Sequence, residues 1–333
     1  MYEHHLIHLV CPGCHGDLEL AHVELRDAEH IREGMLRCTQ CRADYPIIRS
    51  IPRFVPEDNY ASSFGMQWNL HYKTQYDSYS GLPLSERRFF EETAWARDLE
   101  GERILEAGSG SGRFTEQAAK TGALVVSFDY SSAVEAGFQA NGDKPNVLIA
   151  QADITKPPLR AAYFDKVFCF GVLQHTADPR RAFHALPPLL KSGGSLVVDV
   201  YKKNRLGAWF SFTPAPPTKY YVRPLTTRIE PQRLYRWIRR YIDLTWSLSR
   251  WIGLIPRIGR NINWMLLIAD HRNLGLSDEV AKQWAYLNTF DMLAPRYDLP
   301  QRLETVREWF REANLHSSEI YYGYNGIVGR GRR

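Results

Sequence analysis

The 333-residue chain lacks any run approaching the about 18 uninterrupted apolar residues of a membrane-spanning helix, and its N-terminus lacks the apolar core of an export signal. It has no internal repeat and no low-complexity tract, which argues against solenoid, fibrous and largely disordered chains. Cysteine is scarce: of five, only Cys169 stands outside two close pairs. Without an export signal the chain is expected in a reducing, cytoplasmic compartment, where paired cysteines serve metals more often than disulfides. Two phosphate-gripping loops are missing as well. The dinucleotide fingerprint wants a third glycine three residues after the second, where this chain has Arg113, and the Gly-Lys-Ser/Thr of a P-loop is absent.

What is present is organised around Arg103-Ile-Leu-Glu-Ala-Gly-Ser-Gly-Ser-Gly-Arg-Phe114. An apolar strand passes through Glu106 and three glycines, Gly108, Gly110 and Gly112, into a helix-like stretch from Phe114 to Lys120. Glycines belong where the backbone turns sharply and a ligand must lie against main chain. Next, Ala123–Phe128 reads as a strand ending in Asp129, an acid placed to accept both hydroxyls of a ribose. A third strand, Val147–Ala152, ends at Asp153 and Ile154. Strand Phe164–Phe170 leads into Gly171-Val-Leu-Gln-His175, followed by a helix over 180–190, a turn at Lys191–Gly194 and a strand Ser195–Tyr201.

In this order the segments resemble class I S-adenosylmethionine (SAM) methyltransferases, with Glu-x-Gly-x-Gly-x-Gly as motif I and Leu-x-His as part of motif IV. SAM carries a sulfonium, an ammonium and a ribose but no phosphate, which suits a lysine-free loop flanked by acids. The resemblance implies an α/β fold: a Rossmann-like seven-stranded sheet, mostly parallel with an antiparallel last strand. For SAM it implies contacts from Glu106, Gly108, Ser109, Gly110, Gly112, Asp129, Tyr130, Asp153, Ile154, Phe170, Gly171 and Gln174.

Length beyond one typical domain of about 100–200 residues leaves room for additions, and we divide the chain accordingly. Residues 1–55 carry Cys11-Pro-Gly-Cys14 and Cys38-Thr-Gln-Cys41, two knuckles able to present four thiolates to one tetrahedral zinc ion; two disulfides are the alternative. This part resembles the small zinc-ribbon family whose free-standing members activate methyltransferases, with a hairpin over Leu18–Leu36. His4, His5, His8 and His15 are expected at the surface, since four cysteines complete the site. Residues 56–100 form a linker with a helix over Ser85–Leu99, whose Gln67, Trp68 and Arg87 are candidate contacts to cofactor or substrate. Residues 101–201 are the core, and 301–333 its final helix and strand hairpin.

Between them, 202–300 form a helical lid insertion. Lys202 to Trp264 holds thirteen Lys/Arg, two acids and eleven Phe/Trp/Tyr, a local net charge of +11 in a chain of net +5. Pro231 and Pro256 bracket a predicted helix with Leu234, Ile238, Tyr241, Ile242, Thr245, Leu248 and Ile252 on one face, and Arg233, Arg236, Arg239, Arg240 and Arg250 on the other. Such a helix suits either packing on the core or resting on an anionic membrane.

Motif IV looks like small-molecule methyltransferases of the ubiquinone/menaquinone type, which implies O-methylation of a hydrophobic or lipid-linked acceptor. An RNA methyltransferase and a non-catalytic methyltransferase-like scaffold are the alternatives. His175 is the leading candidate general base, because an imidazole titrates near neutrality; Tyr201, His271 and Asp291 compete with it.

Overall fold

Two antiparallel and parallel sheets meet at one edge in the computed structural model, which describes residues 1–56, 59–203 and 218–333. Positions 57–58 of the linker and 204–217 of the insertion lie outside the described residues. The first sheet is a meander of β1 (Leu18–Asp27), β2 (His30–Cys38), β3 (Asp44–Ile48) and β4 (Ile51–Pro52). The second contains β5 (Arg103–Ala107), β6 (Leu124–Asp129), β7 (Val147–Gln151), β8 (Phe164–Phe170), β9 (Leu190–Val200), β10 (His316–Tyr322) and β11 (Ile327–Arg332). Its order is β10-β11-β9-β8-β5-β6-β7. Strands β5 to β9 pair in parallel, while β11 runs antiparallel to both its neighbours.

Parallel strands are covered on both faces and therefore read as continuous apolar runs rather than alternating ones. Ile104, Leu105, Val125, Val126, Leu148, Ile149, Val167, Phe168, Val197 and Val198 are all buried, as is Cys169. From β5 the chain builds outward to β6 and β7, then crosses back to β8 and β9. This reversal opens a crevice at the carboxyl ends of β5 and β8, the place where open α/β sheets bind ligands.

The helices are α1 (Ser62–Leu70), α2 (Asp77–Ser80), α3 (Leu84–Thr93), α4 (Arg113–Ala119), α5 (Val134–Asn141), α6 (Pro179–His184), α7 (Thr218–Thr226), α8 (Pro231–Gly253), α9 (Gly259–Met265), α10 (Asp278–Leu293) and α11 (Leu303–Glu312). The expected helix Ser85–Leu99 stops six residues early, because Ala94 turns left-handed at φ 53°. The expected helix 180–190 is only α6 followed by a 3-10 turn at Pro187–Leu189, since adjacent prolines cannot continue the hydrogen-bond ladder. Strand β9 then begins at Leu190 and takes in the expected turn Lys191–Gly194.

The N-terminal unit closes the free edge of β7. Arg53 bridges Gln151 in parallel register, and the Phe54 N–H donates to the Gln151 carbonyl at 2.8 Å. Arg53 also pairs with Glu135 of α5, and Val10 N–H donates to Pro158 O at 2.9 Å. A covered edge cannot template pairing with another chain. Two histidines correct our expectation here. His5 and His8 are buried at this junction, against Pro145 O at 2.9 Å and the Tyr163 hydroxyl at 2.7 Å. Burial, the largest cause for both, lowers each imidazole pKa to about 4. Composition alone cannot show which surface of the ribbon meets the core.

In the insertion, the Glu230 carboxylate accepts from Gln232 N and Arg233 N at 2.9 and 2.8 Å, and Pro231 occupies the first turn of α8. Leu234, Ile238, Ile242 and Trp246 pack with Ala281, Trp284, Ala285 and Phe290 of α10. The predicted apolar face is partly wrong: Tyr241 and Leu248 are exposed, whereas Trp246 and Ser249 are buried. The helix has two apolar stripes, and only the packing of α10 decides which is inside.

Candidate active site

Three elements wall a single cavity over the crevice. The first is the glycine loop between β5 and α4. Gly108 and Gly110 have φ of +85° and +54°; a Cβ on Gly108 would sit 2.3 Å from Val172, and one on Gly110 would sit 3.1 Å from the Trp68 ring. The Asp129 carboxylate, at the tip of β6, fastens this loop: it accepts from Gly110 N at 3.0 Å and from Ser131 N and Oγ at 2.9 and 2.7 Å. Burial raises the Asp129 pKa, against the pull of these donors. At the tip of β7, Asp153 Oδ1 accepts from Thr155 N and Oγ1 at 2.7 and 2.8 Å. Ser109, Tyr130 and Ile154 complete this side, and the Tyr60 and Tyr130 rings stack at 4.9 Å.

The second wall comes from the linker. Phe64, Gln67 and Trp68 share one face of α1, and Arg88 of α3 reaches the cavity. The expected contact Arg87 is exposed; its neighbour Arg88 takes the place, joined to Glu92 at 3.1 Å and Asp199 at 2.9 Å.

The third wall is α10, which presents Trp284, Asn288 and Asp291 four and three residues apart on one face. Trp284 Nε1 donates to Thr74 O at 2.9 Å, tying this helix to the linker.

Of the candidate cofactor contacts, Gly108, Ser109, Gly110, Asp129, Tyr130, Asp153, Ile154, Phe170 and Gly171 line the cavity, whereas Glu106, Gly112 and Gln174 do not. Glu106 is turned into the sheet, where Ser127 Oγ donates to it at 2.8 Å and Thr115 Oγ1 donates as well. Burial, only partly offset by these hydroxyls, pushes its pKa up to about 7. Gly112 is required for packing, since a Cβ there would approach Asn141 Nδ2 at 2.7 Å. Gln174 Oε1 accepts from Tyr201 N at 3.4 Å and braces the loop after β8.

The four candidate catalytic residues all line the cavity. His175 Nδ1 lies 2.9 Å from the Tyr297 carbonyl, an acceptor, so Nδ1 carries the proton. Its Nε2 is buried and has no partner among the described residues. Phe64 and Tyr201 hold the ring edge-on at 4.9 and 5.4 Å between centroids. Tyr201 donates to Asp291 Oδ2 at 3.2 Å, and burial first, then neighbouring carboxylates, drive its pKa far up. His271 Nε2 sits 2.9 Å from Asn288 Nδ2, and burial lowers its pKa to about 4. His175 therefore differs from its competitors in having a free acceptor nitrogen.

Arg88, Arg113, Gln75, Trp284, Asn288, Tyr324 and Asn325 also line the cavity and were missed. The spacing of Trp284, Asn288 and Asp291 is a helical signal visible in the sequence. Nothing local marks Tyr324 and Asn325, which arrive on the β10–β11 turn.

A cavity with three acids, no lysine and, among the described residues, several unpartnered buried groups, Ser109 Oγ and both ends of the Gln67 amide, fits a nucleoside with polar appendages. The family model described as "Methyltransferase domain" matches residues 105–198. The ubiquinone biosynthesis O-methyltransferase of Alkalilimnicola ehrlichii is 32% identical over 151 residues, which is 42% of this chain and 60% of that protein. Residues 105–198 are thus similar to a methyltransferase domain. The ubiquinone biosynthesis O-methyltransferase of Erwinia tasmaniensis matches at 27% identity, over 54% of this chain and 78% of its own. A putative SAM-dependent methyltransferase structure from Methanococcus maripaludis has 16% identity and a TM-score of 0.45, covering 84% of this chain and 96% of that one.

Outside the methyltransferase domain, Cys11, Cys14, Cys38 and Cys41 place their sulfurs within 4.8 Å of one another, with no disulfide among them. Cys11 and Cys41 are 3.7 Å apart and Cys14 and Cys38 3.4 Å, near the about 3.8 Å edge of a tetrahedron with zinc–sulfur bonds of about 2.3 Å. Tyr45 Oη lies 3.1 Å from Cys11 Sγ, a donor to a thiolate there.

Proposed function

We propose that this chain methylates an oxygen of a hydrophobic or lipid-linked small molecule, with SAM as the methyl donor. The observation that carries the reading is His175 Nε2, unpartnered among the described residues and in the same cavity as Asp129 and Asp153. SAM, held by Asp129, Asp153 and the Gly108–Ser111 loop, supplies an electrophilic methyl on a sulfonium. Asp129 and Asp153 stand at the tips of β6 and β7, and His175 and Tyr201 beyond β8 and β9, which supports a donor side and an acceptor side across the crevice. His175 takes the proton of an acceptor hydroxyl on Nε2, while the Tyr297 carbonyl holds the ring through Nδ1. Tyr201, kept neutral by burial and Asp291, orients the acceptor. Similarity to proteins named ubiquinone biosynthesis O-methyltransferases supports the choice of oxygen.

The acceptor's lipid character rests on α8. Trp237, Tyr241, Leu244, Leu248 and Trp251 recur at alternating spacings of four and three along its exposed side, with Leu244 85% and Trp251 73% exposed. Arg233, Arg236, Arg239 and Arg240 are exposed on the same helix and make no ion pair among the described residues. An apolar stripe beside unneutralised arginines complements an anionic bilayer surface. No helix among the described residues is long and apolar enough to cross a membrane. The four thiols hold one structural zinc, which keeps the ribbon folded against β7.

The test is a lipid and metabolite comparison of a strain lacking the gene. The reading expects a hydrophobic compound to appear one methylene lighter than its wild-type counterpart. An unchanged lipid profile with an under-methylated RNA would replace it with the RNA alternative.

A further inference from the structure

The cavity holds two arginines in opposite electrostatic states. Arg88 is neutralised twice over, by Glu92 and Asp199. Arg113, the first residue of α4, lines the same cavity and has no ion pair or side-chain hydrogen bond among the described residues. Its guanidinium carbon lies 4.4 Å from the centre of the Phe114 ring, an apolar neighbour that cannot replace lost water. Asp77 and Glu92 act on it only from beyond ion-pair distance. Arg113 is half-buried, and a guanidinium partly withdrawn from water without a counter-charge is stabilised when an anion meets it.

We infer that Arg113 is an anion anchor inside the cavity, built to hold a carboxylate or phosphate oxygen of a bound molecule. The planar fork of arginine matches either group through two parallel hydrogen bonds. Gln75, Tyr324 and Asn325 line the same cavity and offer further polar contacts. Burial and the neighbouring Arg88 lower the Arg113 pKa to about 10, which still leaves it a cation at neutral pH. The inference deepens the methyl-transfer reading and rests on it for the two possible sources of the anion: the amino-acid carboxylate of SAM, or an acidic group on the acceptor.

The test uses the full chain, with Arg113→Gln checked for folding by circular dichroism and Arg113→Lys as the charge-retaining control. Calorimetry compares S-adenosylhomocysteine with 5′-methylthioadenosine, a nucleoside lacking the amino-acid end. If Arg113→Gln weakens S-adenosylhomocysteine by about ten- to a hundredfold while leaving methylthioadenosine unchanged, with Lys partly restoring it, the anchor holds the cofactor's carboxylate. If neither nucleoside is affected, melting curves with inorganic phosphate or acetate decide. An anion-dependent rise in Tm in wild type that Arg113→Gln abolishes assigns the anchor to the acceptor. Equal weakening of both nucleosides, or no difference in any arm, overturns the inference. Wild-type protein that binds neither nucleoside would remove the methyl-transfer reading, and the anion melting curves would still judge Arg113 by themselves.

Discussion

Tyr201, at the end of β9, donates its hydroxyl across 3.2 Å to Asp291 on α10. That bond links the carboxyl edge of the sheet to the helix that roofs it. With Trp284 donating to Thr74 O and His71 facing the Tyr235 hydroxyl at 2.7 Å, it makes the insertion part of the cavity rather than an appendage. The cavity is therefore walled by segments on both flanks of residues 105–198.

Asp129 serves two tasks, fastening the glycine loop and presenting oxygen to the cavity. Asp129→Ala is expected to weaken S-adenosylhomocysteine by roughly 1.5–3 kcal/mol, about ten- to a hundredfold. Calorimetry returning wild-type affinity would remove the second strand's tip from the cofactor site.

How much of this was legible in the sequence depends on what each residue's role requires. The glycine loop and the acids at Asp129 and Asp153 were readable because local backbone geometry dictates residue type and spacing there. Arg88 was misread as Arg87, since one residue on α3 separates cavity from solvent and the helix turns unseen until its partners Glu92 and Asp199 are placed. The motif I resemblance implies a cofactor contact for Glu106; Thr115 and Ser127, distant hydroxyls brought together by folding, turn its carboxylate inward instead. The two stripes of α8 could not be ranked without α10.

The inward-facing Glu106 gives a pH signature. Its carboxyl has a pKa of about 7 in the fold against an ordinary 4.5, so the folded chain holds a proton that the unfolded chain has released. Stability then falls as pH rises from about 4.5 to 7, by on the order of 3 kcal/mol. Glu106→Gln should flatten urea midpoints across that window relative to wild type. Parallel slopes for the two proteins would mean that Glu106 is ionised in the fold.

One zinc per chain is expected on elemental analysis. Cys38→Ser should lose it and open residues 1–55 to protease, because so small a sheet has little core of its own. Full metal retention in that variant would mean other ligands.

For α8, vesicles of phosphatidylglycerol should sediment the wild-type protein and neutral phosphatidylcholine should not, with binding weakened by salt. Leu244→Asp with Trp251→Asp should abolish sedimentation without lowering the melting temperature, since both side chains are exposed. If those changes instead dissolve a dimer seen by light scattering, the stripe is a contact between copies.

Methyl transfer to a hydrophobic oxygen with His175 as base can be followed through the methyl itself. Protein incubated with methyl-labelled SAM and a cell extract should place label in chloroform-soluble material. His175→Ala should lower that rate by about a hundred- to ten-thousandfold, less at high pH, with S-adenosylhomocysteine affinity unchanged. Label confined to RNA would exclude a lipid-like acceptor, and a variant in which turnover and cofactor affinity fall together would exclude His175 as the base.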